Sequence, residues 1–134
     1  MSFVVGVVLA LVVGGSTTFF GLDRDRALYP VVMIVIASLY ALFAIMGGST
    51  QALIIESAVG VAFIGLALAG FKSTLWLVVA ALAAHGFFDL GHPRWYANPG
   101  VPVWWPSFCL AYDVVAAAYL AWLLASNRVR AHAP

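Results

Sequence analysis

Five apolar stretches, separated only by short interruptions, constrain this chain more than any other feature. They cover 2–22, 30–47, 51–71, 73–91 and 106–126. A bilayer core about 30 Å thick needs about 20 apolar residues per helix, and each stretch meets or approaches that length. None alternates with period two, which a membrane β-barrel would require. The sequence therefore predicts an all-α integral membrane bundle of about five transmembrane helices, forming one domain over 1–134. Composition agrees: 65% of the residues are hydrophobic and 8% charged, whereas a soluble domain is about a quarter charged. The first stretch lacks a charged leader and is too long for a cleavable signal core, so it reads as a retained span.

Helix punctuation falls near the expected borders. Pro30 and Pro106 sit where a first-turn proline costs little, Ser73 can cap, and Gly21, Gly47, Gly70 and Gly91 suit C-terminal ends. Arg24, Arg26, Lys72, Arg128 and Arg130 lie on the side reached after spans one, three and five, with only Arg94 opposite. Cytoplasmic loops retain Lys and Arg, so the amino terminus is expected outside and the carboxyl terminus, with the tail 127–134, inside. Tyr29, Trp76 and Trp122 would form the inner aromatic belt, and Trp95, Tyr96, Trp104 and Trp105 the outer one. Gly6, Ala10 and Gly14 form a small-residue stripe that allows close backbone approach, within the bundle or in a homodimer.

Charge placement carries the functional signal. An ionisable group inside hydrocarbon costs at least about 2.5 kcal/mol on insertion scales and needs a compensating reason. Asp23 and Asp25 alternate with Arg24 and Arg26 and read as a solvated turn. Glu56, Asp89 and Asp113 instead fall within spans. At a rise of about 1.5 Å per residue, Glu56 lies about 9 Å in from Thr50, His85 about 10 Å in from His92, and Asp113 about 10 Å in from Pro106. Three helices thus contribute to one outer-half layer. His85, Asp89 and His92 share a face at i, i+4 and i+7, unless Gly91 and Pro93 end the helix and leave His92 on a rim.

The expected site is a polar pocket opening outward, built from Glu56, His85, Asp89 and Asp113 with His92 optional. Arg94, Cys109, Tyr112 and Trp95 stand around it, and the Pro- and aromatic-rich segment 92–105 forms a lid. Imidazole and carboxylates suit a divalent metal such as zinc, manganese or iron. A metal-bound water could then attack an ester or amide of a membrane lipid, with Glu56 or Asp113 moving protons. That reading makes the chain a metal-dependent hydrolase of a lipid-like substrate. Two other classes use the same residues: a proton- or cation-coupled transporter, and a non-catalytic subunit or lipid-binding module. Mutual hydrogen bonding, with Arg94 folded onto Asp89, is the purely structural alternative.

Other classes are excluded. His85 and His92 lie on one helix, which does not suit a bis-histidine haem. Lys72 lies at an inner loop and cannot hold retinal within the bundle. There is no nucleotide-binding glycine loop, and a net charge of +1 without a basic stripe argues against nucleic acid. Cys109, the single cysteine, cannot form an internal disulfide and reads as a small buried hydrophobe.

The stretch His85 to Asp113 carries H-x-x-x-D-x-x-H, then NPGVP over Asn98 to Pro102, then P-x-x-C-x-x-x-D over Pro106 to Asp113. In these features it resembles small, uncharacterised bacterial multi-spanning membrane proteins. The resemblance covers about a fifth of the chain. It implies a bacterial source, and so an inner-membrane location, and implies no activity.

Overall fold

A computed structural model describes residues 1–133; residue 134, the end of the expected inner tail, lies outside the described residues. Five helices are present: α1 (Ser2–Phe20), α2 (Leu28–Met46), α3 (Thr50–Lys72), α4 (Trp76–Trp95) and α5 (Trp105–Ala125). The described residues form no strand, only an isolated bridge between Thr74 and His132. The all-α membrane bundle expected from the sequence is what the chain forms.

Neighbours in sequence pack as neighbours in space: α2 against α3, α3 against α4, and α4 against α5. α4 also touches α2, so it contacts three of the other four helices. α1 packs on α5, and the two run parallel: Ser2 meets Ser107 at one end, while Thr18 accepts from the Tyr119 hydroxyl near the other. The stripe Gly6, Ala10 and Gly14 is buried in this seam. A Cβ at Gly6 would strike the Phe108 carbonyl, and one at Gly14 would press on the Tyr119 ring. Small residues are what bring these two backbones together.

The burial pattern is that of a lipid-facing protein. Phe3, Val12, Phe20, Val35, Ile54, Val61, Phe87 and Leu90 are exposed, while Glu56, His85, Asp89, His92 and Asp113 are each 2% exposed or less. Hydrocarbon outside and polar groups inside is the only arrangement of this composition that a bilayer tolerates.

Four helices are long and apolar enough to cross a membrane; α4 is the exception. His85, Asp89, His92 and Arg94 dilute it, and contacts with α2, α3 and α5 shield its polar face. It also begins three residues later and ends four residues later than the predicted fourth span. Ser73 does not cap it but ends α3, and its hydroxyl donates to Ala69 O. Gly91 does not terminate it, because a proline in a last turn forfeits only one backbone bond and the helix runs through Pro93. Gly70 is likewise inside α3, where it seats Val78 of α4. Gly21, at φ 74°, does end α1 in the left-handed turn its position suggested.

At the end where α1, α3 and α5 finish, the short turn after α1 is only half solvated: Arg24 and Asp25 are exposed as expected, whereas Asp23 and Arg26 are built in. Asp23 is buried and accepts from the Thr18 hydroxyl at 2.6 Å. Arg26, also buried, donates to Arg130 O at 2.5 Å and Phe71 O at 3.0 Å. A cation on the last carbonyls of α3 complements its dipole. These two residues correct the expectation of a free, charged turn.

Candidate metal centre

Three residues of α4 point the same way. His85, Asp89 and His92 are all buried, so the continuation of the helix past Gly91 keeps His92 in the stripe instead of on a rim. What faces them differs with depth, and the single layer predicted from the sequence resolves into two.

The inner layer is made with α5. His85 Nδ1–H donates to Asp113 Oδ2 at 2.7 Å and lies 3.4 Å from Asp89 Oδ2. Gly86 makes this possible, since a Cβ there would sit 3.3 Å from Asp113 Cβ and from Leu110 O. Cys109, one turn before Asp113, is buried beside them. Donor atoms of His85, Asp89, Cys109 and Asp113 lie within 4.8 Å of one another. Such a group could hold a metal ion, in the nitrogen, oxygen and sulfur mixture that transition metals accept.

The hydrogen-bond inventory fits a ligand of that kind. Asp89 Oδ1, Asp89 Oδ2 and Asp113 Oδ1 are buried and accept no hydrogen bond, and the Tyr40 hydroxyl donates none. Buried carboxylate oxygens without donors are rare because the desolvation cost is uncompensated. A cation answers three of these four atoms at once. Zinc bonds of about 2.0–2.3 Å ask for a modest contraction of the widest donor separation. The ring of Tyr40 stands between the layers, 4.4 Å from the His92 ring and 6.1 Å from that of His85, centroid to centroid.

The outer layer is made with α3 and the loop after α4. Glu56 Oε1 accepts from His92 Nε2–H at 2.7 Å and from Asn98 Nδ2 at 2.8 Å, and Oε2 accepts from the Tyr96 hydroxyl at 2.8 Å. Burial, then the contact with Glu56, pushes the Tyr96 phenol well above its ordinary range, so it stays a donor. Asn98 also donates to Tyr40 O at 3.1 Å. Gly100 completes the docking: a Cβ there would collide with the Phe43 carbonyl and crowd Gly47 N. Of the segment 92–105 expected as a lid, residues 92–95 continue α4 and Trp105 opens α5, and the loop between them is strapped down on one carboxylate. A cleft of about 320 Å³ lies in it, lined by His92, Tyr96, Asn98 and the prolines 99, 102 and 106 among others.

Glu56 and His92 were expected as ligands beside His85, Asp89 and Asp113. Their hydrogen bonds instead tie them to each other, one layer further out. The physical reason is register: depth places residues along a helix but not the azimuth at which α3 meets α4. Cys109 moves the other way, from the surroundings into the donor group. Arg94 is exposed and forms no ion pair among the described residues, so it does not fold onto Asp89. Trp95 is exposed over Gly91, and Tyr112 stacks on Phe108. Tyr40 and Asn98 were missed; Asn98 could have been found as the one amide in the proline-rich loop. No family model, curated protein or solved structure matches the chain.

Proposed function

We propose that this protein is a membrane-embedded metal-binding protein, holding one divalent transition metal between α4 and α5 through His85, Asp89, Cys109 and Asp113. The observation that carries this is the set of orphaned carboxylate oxygens packed against an imidazole and a thiol in the buried core. A thiolate ligand favours zinc or iron over manganese. Chelator-stripped protein in nanodiscs, titrated with cobalt, tests it. A thiolate-to-cobalt charge-transfer band with stoichiometric uptake is expected, lost in Asp113→Asn and, for the band, in Cys109→Ser. Wild-type protein that takes up no metal would sink the reading.

One observation favours hydrolysis of a lipid-like substrate as the use of that metal. An apolar groove of about 340 Å³ between α1 and α2 is floored by α5, and Cys109 lies in its lining. An acyl chain seated there would end against the donor group. Such a metal would supply an activated water, which requires an open coordination position. For that use three of the four donors would hold the metal, and the carboxylate left free would hold and pass the proton. Release of fatty acid from a short-chain ester or amide by loaded protein, absent in Asp89→Asn, is the expected result.

A further inference from the structure

All four residues of the inner donor group are buried, so an ion must reach it along some path. We infer that the outer cleft is its entry port and that Glu56 with His92 is a first cation station on the way; this rests on the metal-binding reading above.

Three observations lead to that assignment. His92 both lines the cleft and shares the α4 face of Asp89 and His85, about 4.5 Å and about 10 Å along the axis respectively. Behind it Glu56 is a buried carboxylate whose partners are a histidine, a phenol and an amide. None of these carries a permanent positive charge, so the site keeps an attraction for a cation that hydrogen bonds alone do not cancel. Between the two layers stand the rings of Tyr40 and Phe88, and the Tyr40 hydroxyl is unpartnered. The other approach to the donor group, at Cys109, is walled mostly by apolar side chains such as Leu9, Val13, Val35, Ile36 and Leu39 and offers an arriving ion no carboxylate or imidazole.

The route has a latch. Tyr96 and Asn98 hold the loop down by donating to the same carboxylate that an arriving ion would claim. An ion at Glu56 therefore competes with the lid bonds, and loading and lid opening are one event.

Stopped-flow cobalt loading of stripped protein, followed at the thiolate charge-transfer band, separates port from site. Glu56→Gln is expected to slow loading by about ten-fold or more while leaving the final amplitude unchanged. Asn98→Ala, which frees the lid without removing the carboxylate, is expected to speed it. Wild-type rates in both variants overturn the port while leaving the metal site standing. If Glu56→Gln loses amplitude, Asn98→Ala decides alone, faster loading supporting the port and unchanged loading overturning it. No band in wild-type protein overturns the metal reading and the port with it.

Discussion

Tyr40 is the side chain on which the two polar layers turn. Its ring separates His92 from His85, and its hydroxyl neighbours Asp89 without a well-formed hydrogen bond. In the proposed metal site, a group in that position would orient the Asp89 carboxylate. Tyr40→Phe is expected to weaken cobalt affinity by about ten-fold, in the range of lost outer-shell partners, with unchanged stoichiometry by competition against a chelator. Nothing in the sequence singled Tyr40 out, since an aromatic within a span is usually packing. The acids and His85 were legible because charge in hydrocarbon is costly wherever it occurs. Cys109 was not, because a thiol is equally at home as a buried apolar group, and only its distance to Asp113 and Asp89 separates the two roles.

Among elements, the loop after α4 rewards the closest look. Gly100 lies against the backbone of α2 at Phe43 and Gly47, so the contact cannot relax by turning a side chain. Gly100→Ala is expected to destabilise the protein by about 1–3 kcal/mol, read as a lowered unfolding midpoint in detergent. Gly65→Ala is the control, since nothing lies within 4 Å of a Cβ there, and a neutral or slightly stabilising effect is expected. Equal effects would remove the docking argument. The helices themselves were readable from run length and polarity, to within a few residues at most ends. The lid was readable only as stiff and interfacial. That its amide and phenol reach Glu56 depends on where α3 stands around α4, which periodicity does not encode.

For the whole molecule, the arrangement of the basic residues makes a topological claim. The end that gathers Arg24, Arg26, Lys72, Arg128 and Arg130 is expected to face the cytoplasm, leaving the cleft outside. In a Cys109→Ser background, Ala97→Cys is expected to react with an impermeant maleimide added to intact cells, whereas Ser126→Cys reacts only after permeabilisation. The reverse pattern would invert the molecule and turn the entry port inward.

The pairing of α1 with α5 has a consequence for how the chain is made. α1 meets its main partner only when α5 is made, while α2, α3 and α4 can associate as they emerge. The same late arrival brings Asp113 to His85 and Cys109 to Asp89. Docking of α5 both closes the bundle and assembles the donor group, so a ribosome halted before Pro106 would leave an inserted protein without it.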